Sequence, residues 1–148
     1  MKKLWLIQGF FCQGRGPFYQ KAVVPEMFSG TFCHAGHVAS NPLTGRMSDA
    51  FGDSELHGIE FLDADELFFY KRYVVKPGEP ARGEVVYRLD KEAEGLWWSG
   101  QYVIDSKPKA FRGPARCIIT EVTLDPIEAD LFKFARDHGF QDPEHIKA

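Results

Sequence analysis

The segment LFFYKRYVV, residues 67–75, places two cations in the middle of an aromatic and β-branched run. Successive side chains of a strand point to opposite faces, so Lys71 shares a face with Tyr73 while Arg72 points the other way. One cation must therefore face the core that this strand covers. A buried ammonium requires an anionic partner, and we expect that partner to be Glu55 on the preceding strand. If the register slips by one residue, Glu55 instead meets Arg72, so an ion pair to Glu55 is expected in either register.

A polar cluster around Lys71 has two chemical uses. If residues 63–65 form the loop between the strands, His57 lies opposite Lys71 and Glu55 opposite Tyr73. Such groups in an apolar cavity can fix an anionic or carbonyl-bearing ligand. Glu55, His57 and Lys71 are also types that perform acid and base catalysis, and a desolvated lysine can act as a base or nucleophile. A further reading is structural, in which Lys71 buries its stem and reaches water at a barrel mouth.

Aromatic side chains on two later segments can line the same interior. Tyr87 in EVVYRL and Trp98 and Tyr102 in LWWSGQYVI fall on the inner face if the strands alternate. The predicted ligand-binding residues are Lys71, Tyr73, Tyr87, Trp98, Tyr102, Glu55 and His57. The alternative is that Trp97 and Trp98 are packing residues, which is the commoner role of tryptophan in a strand.

Metal binding is weakly indicated. Cys33, His34 and His37 in FCHAGHV are ligand types for zinc and other transition metals. They converge only if residues 35–36 form a turn, so structural or surface roles are favoured and no metal is assigned. The three cysteines form no C-x-x-C pair, which argues against a disulfide framework and suits reduced thiols in the cytoplasm. No nucleotide-binding loop occurs, and no cofactor is predicted.

The elements that must position these residues are short apolar segments separated by turn residues, which is typical of consecutive antiparallel strands. The pattern predicts a mainly β protein: a single antiparallel up-and-down β-barrel of about eight strands over residues 3–124, within one domain spanning 1–148. A loop at residues 91–94 would pair Tyr87 with Trp98 and Leu89 with Leu96, placing Leu96 inside.

The last part of the chain changes to helical character. LDPIEADLFKFARDHGF predicts a helix at about 126–138, with Asp125 as its N-cap, Pro126 at its first position and Gly139 at its C-cap. Its apolar residues recur at helical spacing and are expected to pack on the outside or end of the sheet. The residues of this stripe are Ile127, Leu131, Phe134 and Ala135.

Composition excludes several classes of partner. The 148 residues are 44% hydrophobic and carry a formal charge of −3, and no stretch concentrates lysine and arginine for contact with phosphates, so nucleic acid is not expected. No segment approaches the roughly 20 apolar residues of a membrane-spanning helix. The apolar run after Met1 lacks a signal-peptide cleavage site. We therefore expect a cytoplasmic protein.

The hairpins of residues 54–123 resemble a small barrel of the lipocalin-like, or calycin, type. The residues that carry this resemblance are Phe69, Lys71 and Tyr73 in an F-x-K-x-Y run, the G-x-W stretch at 95–97, and the helix after the last long strand. The resemblance implies a cavity along the barrel axis, open at one end, that is suited to a small apolar or amphipathic molecule.

Three functions follow as expectations. The first is a binding barrel for a small apolar or amphipathic ligand in its interior. The second is a small-barrel enzyme, an isomerase or hydrolase, with Glu55, His57 and Lys71 as acid and base groups. The third is a packed barrel without a ligand that serves as an interaction module, with an exposed patch or sheet edge buried in a homodimer.

Overall fold

The structure, a computed structural model, describes residues 2–12, 25–104 and 111–140, and of Phe111 only the backbone. Eight antiparallel strands form a closed barrel in sequence order, as predicted. The strands are β1 (Lys3–Phe11), β2 (Glu26–His34), β3 (Leu43–Asp49), β4 (Gly52–Asp63), β5 (Glu66–Tyr73), β6 (Val85–Lys91), β7 (Trp97–Ile104) and β8 (Phe111–Thr123). A 3-10 turn at Ala35–His37 follows β2, and the helix α1 (Leu124–Asp137) follows β8.

The barrel closes because β1 pairs with β8 as well as with β2. Lys3 lies opposite Thr123 and Phe11 opposite Ala115, so the pairing runs the whole length of β1. Full closure leaves no unpaired sheet edge. The third functional expectation, burial of a sheet edge in a homodimer, therefore has no edge to use within the barrel.

The two ends of the barrel differ in chemistry. Phe11, Asp49 and Tyr73 end their strands at one mouth, which we call the polar end. Trp5, Phe61 and Trp98 lie near the other mouth, which we call the aromatic end, and their rings are in contact. Helix α1 begins at the aromatic end, where Thr123 pairs with Lys3.

Large side chains occupy the interior between the two ends. Phe69 stacks on Tyr87 with ring centroids 4.8 Å apart, and Phe28 and Tyr102 contact the same Tyr87 ring at 5.9 and 6.0 Å. The buried apolar residues are Ile7, Phe11, Phe28, Phe32, Met47, Leu56, Ile59, Leu67, Phe69, Val85, Tyr87, Leu89, Trp98, Tyr102, Ala115 and Cys117. The period-2 alternation of the sequence therefore identified the inner faces of β5, β6 and β7.

The register of β4 and β5 departs from the expectation. Phe61 pairs with Leu67 as predicted, but an irregularity between His57 and Glu60 shifts the remaining pairs by one residue. Gly58 accommodates this bulge because its φ of +58° is a conformation that favours glycine. The shift exchanges the two faces of β4 beyond the bulge, so Ser54 and Leu56 point inward.

The register of β6 and β7 is also different. Tyr87 pairs with Tyr102, and Leu89 pairs with Gly100 rather than with Leu96. Leu96 lies before β7 and is 71% exposed, so the prediction that it faces the interior is wrong. The displacement is an even number of residues, which is why Tyr87, Trp98 and Tyr102 still point inward.

Helix α1 projects from the barrel. Its N-cap is Thr123 rather than Asp125, and Gly139 follows its end with a φ of +72°, as expected for a helix terminus. None of its residues is buried. The predicted packing of its apolar stripe on the sheet is therefore not observed in the described part of the chain. No helix in that part is long and apolar enough to cross a membrane.

Candidate functional site

Lys71 is buried in the polar end of the barrel and is paired with Asp49. Its Nζ lies 2.7 Å from Asp49 Oδ2, and the two side chains are 1% and 0% exposed. The prediction that Glu55 is the partner of Lys71 is wrong, because the bulge turns Glu55 to the outer face, opposite Arg72, as in the alternative register. In that register the ion pair of Arg72 is with Glu84 rather than with Glu55. Lys71 itself faces inward as predicted and does not reach water.

Two phenols complete the surroundings of the ammonium. Lys71 Nζ donates hydrogen bonds to Tyr73 Oη at 2.9 Å and Tyr87 Oη at 3.3 Å. The Tyr73 hydroxyl donates to Asp49 Oδ2 at 2.7 Å. Each of the three Lys71 donors thus has an acceptor, and the Phe11, Tyr73 and Tyr87 rings lie 4.7 to 5.3 Å from the charge, within cation–π range.

The tight turn after β3 holds Asp49 in place. The backbone N–H of Phe51 donates to Asp49 Oδ1 at 2.8 Å, which is the local bond that aspartate commonly makes in turns. Arg82 binds over this turn by donating to the Phe51 carbonyl at 2.7 Å, and its guanidinium lies 3.8 Å from the centre of the Tyr73 ring. Asp49 therefore uses one oxygen for the turn and the other for the buried cluster.

Burial governs the protonation of the cluster. It lowers the pKa of Lys71, while the hydrogen bond and charge of Asp49 act in the opposite direction. Burial also raises the pKa of Tyr73, with the hydrogen bond to Asp49 adding to the effect, and raises the pKa of Tyr87 well above its ordinary value. Both phenols are consequently neutral hydrogen-bond donors at physiological pH.

The hydroxyl proton of Tyr87 has no acceptor among the described residues. Tyr87 is 1% exposed, and its oxygen already accepts from Lys71. A buried hydroxyl normally donates as well as accepts, and leaving the donor unused costs about 1–3 kcal/mol. Donation by a cation also strengthens the O–H as a donor. The group is therefore suited to an acceptor oxygen placed beside it.

Tyr102 belongs to the same end of the interior. Its hydroxyl donates to the Cys12 carbonyl at 2.8 Å, and its ring contacts Phe11 edge-on at 5.3 Å. Four predicted ligand-binding residues are thus neighbours at the polar end: Lys71, Tyr73, Tyr87 and Tyr102. Trp98 is buried as predicted but lies at the aromatic end, against Phe61.

His57 and Glu55 are absent from this cluster. His57 stacks on Tyr70 outside the barrel, and its Nε2 lies 3.0 Å from Glu84 Oε1 without hydrogen-bond geometry. Glu55 is exposed on the same outer surface. The acid and base trio of Glu55, His57 and Lys71 is therefore not assembled, because Lys71 points into the interior.

The three candidate metal ligands, Cys33, His34 and His37, do not form a metal-binding group. The His34 ring is hydrogen-bonded to the Asn41 carbonyl through Nδ1 at 2.7 Å and lies edge-on to Trp5. Residues 35–37 do form a turn, in which Gly36 and His37 have positive φ. The described ranges contain no group of three or more histidine, cysteine, aspartate or glutamate side chains arranged to hold a metal.

Asp49 is the site residue that sequence reasoning missed as the partner of Lys71. It lies in DAFGD, a pattern that is ordinary turn chemistry. The available signal was its position: Asp49 is the last residue of a strand and begins a tight turn, and a side chain there can point back over the mouth of the barrel. Closure of the barrel then brings it to a lysine 22 residues later in the chain.

Comparisons with known proteins add no relative. Models of protein families, curated proteins and solved structures all give no match to the chain. The closed eight-stranded antiparallel barrel is consistent with the lipocalin-like architecture expected from the sequence.

Proposed function

We propose that this barrel binds a small, largely apolar molecule that carries an acceptor oxygen, in the interior at the polar end. The observation that carries the proposal is the buried Tyr87 hydroxyl, whose proton has no acceptor among the described residues. A carbonyl or carboxylate oxygen of the ligand would accept this hydrogen bond. The surrounding rings would contact the apolar part of the molecule.

The roles of the remaining residues follow from their contacts. All three donors of Lys71 are occupied, so Lys71 orients Tyr87 and polarises its hydroxyl rather than binding the ligand directly. Asp49 balances the charge of Lys71. Phe11 and Tyr102 supply an apolar wall. The cluster is costly to bury, which supports a function beyond stability.

The proposal is tested with prodan, a fluorescent naphthalene that is largely apolar and carries one ketone oxygen. The wild-type protein should bind it saturably with a blue-shifted emission. Tyr87→Phe removes one buried hydrogen bond, worth about 1 kcal/mol, and should weaken binding about fivefold to tenfold. Native mass spectrometry of the purified protein should also show a retained small molecule.

A matched control is Tyr70→Phe, the same chemical change on the outer face of the barrel. Tyr70 follows Phe69, the β5 residue that pairs with Tyr87, and its ring stacks on His57. Binding of prodan should be unchanged in this variant. Equal affinity in wild type and Tyr87→Phe, or the absence of saturable binding, would overturn the proposal.

The second candidate is a packed barrel that acts as an interaction module. It is favoured by the direct contacts of Phe28, Phe69, Tyr87 and Tyr102, whose rings lie 4.8 to 6.0 Å apart along the interior. Small barrels can be filled by their own side chains. A protein that takes up no prodan but self-associates or captures a partner would support this function.

A further inference from the structure

An apolar groove lies at the aromatic end of the barrel, opposite the Lys71 cluster. It has a volume of about 360 Å³ and is lined by the apolar residues Trp5, Phe61, Leu96, Trp98 and Ile119 and by the charged residues Lys91 and Glu121. Leu96 is 71% exposed, and Trp5 and Trp98 each contact the Phe61 ring, at 6.1 and 6.2 Å. We call these residues the end groove. Exposed apolar surface with this concave shape is typical of an interaction site.

A second exposed apolar surface belongs to helix α1, where Phe134 at the C-terminal end also stacks on His138. Ile127, Leu131 and Phe134 are 43%, 61% and 52% exposed, and they recur at positions i, i+4 and i+7. This spacing aligns three anchors along one side of a helix, the arrangement by which amphipathic helices insert into apolar grooves. The chain thus exposes both a groove and a helix face that matches it in character.

The helix does not occupy the groove of its own barrel. Its first turn is tied to the start of β1, because Leu124 N–H donates to the Lys2 carbonyl at 2.9 Å and Lys2 N–H donates to Asp125 Oδ2 at 3.0 Å. Lys2 Nζ also lies 3.4 Å from Glu128 Oε2. These contacts fix the direction in which the helix leaves the barrel, and no residue of α1 is buried.

Charge also matches the helix to the groove. Of the two charged lining residues, Glu121 is paired with Lys3 at 2.9 Å, whereas Lys91 makes no ion pair with another described residue. On the helix, Asp130 and Asp137 flank the apolar stripe on one side, and neither makes an ion pair within the described residues. Lys91 therefore offers an unpaired cation that an aspartate of this acidic flank can reach when the stripe enters the groove.

We infer that the end groove takes helix α1 of a second copy of this chain, in a reciprocal dimer. A two-fold axis would place each helix in the groove of the other chain, so that both apolar surfaces are covered by one self-complementary interface. The barrel closes on itself without the helix, so this exchange leaves the strand pairing intact. The inference is independent of the proposed ligand site, which lies at the opposite end.

The test is the oligomeric state of the full chain, measured by sedimentation velocity over a concentration series. The wild type should be a dimer. Leu131→Asp on the helix and Leu96→Asp in the groove should each raise the dimer Kd about thirtyfold or more, as expected for loss of a central interface contact. Both positions, and that of the control Met27→Asp, are exposed in the single chain, so folding should be preserved. Met27→Asp at the polar end should remain a dimer.

Mixing the two disrupted variants identifies the occupant. Leu131→Asp retains a normal groove and Leu96→Asp a normal helix. A mixture in which one variant is isotopically labelled should therefore form a heterodimer that native mass spectrometry detects.

A charge reversal tests the contact between Lys91 and the helix. Lys91→Glu should weaken the dimer, and adding Asp130→Lys to the same chain should restore it. A wild-type monomer at every concentration, or a dimer insensitive to both aspartate substitutions, would overturn the inference. So would a monomer whose tryptophan fluorescence changes in Leu131→Asp, since the groove would then hold the chain's own helix.

Discussion

At the scale of single residues, the Lys71–Asp49 pair is the feature that most needs explanation. Both side chains are at most 1% exposed, so each lost its hydration on folding. The attraction between buried charges offsets that loss only when their remaining hydrogen bonds are satisfied. Lys71 meets this condition through Tyr73 and Tyr87, and Asp49 through Phe51. Each member of the pair is therefore stable in the interior only while the other is present.

Removing one partner should lower the free energy of unfolding more than removing both. Lys71→Met leaves Asp49 as an uncompensated buried carboxylate, and Asp49→Asn leaves the ammonium without its anion. Each single change should lower the free energy of unfolding by about 3–5 kcal/mol. The double variant should be clearly more stable than the sum of the two losses predicts, because it contains no buried charge. Urea unfolding of the four proteins measures this coupling.

An outer-face ion pair provides the control. Arg72 and Glu84 are 3.4 Å apart, and their side chains are 61% and 36% exposed. Arg72→Met and Glu84→Gln should each change stability by at most about 1 kcal/mol. Additive effects at Lys71 and Asp49, similar to those at the outer pair, would show that the buried pair is not coupled.

The sequence predicted the buried cation but not its counterion. Alternation along β5 was sufficient to place Lys71 inside, since a strand has only two faces. The choice between Glu55 and Asp49 depended on a single-residue bulge in β4 and on closure of the barrel. Neither leaves a strong local pattern. The outward position of Glu55 and His57 follows from that same bulge.

At the scale of elements, Gly58 sets the register of the β4–β5 hairpin. It has a φ of +58°, and a Cβ at this position would lie 2.8 Å from Tyr70 Cδ2. Gly36 has a similar φ of +63° but no atom within 4 Å of its would-be Cβ. The two glycines therefore separate the conformational cost of an alanine from its steric cost.

Gly36→Ala should cost about 1–2 kcal/mol, the penalty of a left-handed conformation for an L-residue. Gly58→Ala should cost more, because Tyr70 must also move from its stack on His57. In a Tyr70→Ala background the cost of Gly58→Ala should fall to that of Gly36→Ala. Denaturant unfolding measures each step, and equal costs for the two glycines in the wild-type background would show that Tyr70 does not restrict the bulge.

Faces of strands were predictable, but registers were less so. The β6–β7 pairing differed from the expectation by an even number of residues, which preserved the inner positions of Tyr87 and Tyr102. The β4–β5 pairing differed by one, which exchanged faces. Cross-strand pairs contribute only about 0.2–1 kcal/mol each, so local pairing preferences are too weak to fix a register against the geometry of the closed barrel. Helix α1 shows a further limit: its stripe predicted the helix, but the expected packing of that stripe on the sheet is not observed.

At the scale of the whole molecule, the buried titratable groups make stability depend on pH. Burial raises the pKa of the Cys117 thiol from 9.0 to about 12. It also raises the pKa values of Tyr73 and Tyr87 above 10.0. In the unfolded chain these groups lose their protons at lower pH than in the barrel. They therefore contribute stability that is complete below pH 9 and is lost progressively as the pH rises.

At pH values below its ordinary pKa, Lys71 changes the stability in the opposite direction. Its pKa is lowered in the barrel from 10.5, so the folded protein releases this proton first and stability gains as the pH approaches 10.5. At pH 10.5 half of the unfolded chains still carry this proton, so the lysine is largely neutral in both states only above about pH 11.5. The Lys71 contribution is the same in the wild type and in a Cys117 variant, so the difference between their slopes from pH 10.5 to 12 reports the thiol.

In that range the free energy of unfolding should fall with pH, and each group should contribute at most about 1.4 kcal/mol per pH unit. Cys117→Ala should reduce this slope by up to one such contribution, although the variant is less stable at every pH because a buried atom is lost. Urea unfolding at a series of pH values gives both slopes. The slope compares proton binding in the folded and unfolded states, so it is separate from the packing cost. An unchanged slope in Cys117→Ala would mean that burial between β1 and β7 does not hold the thiol protonated.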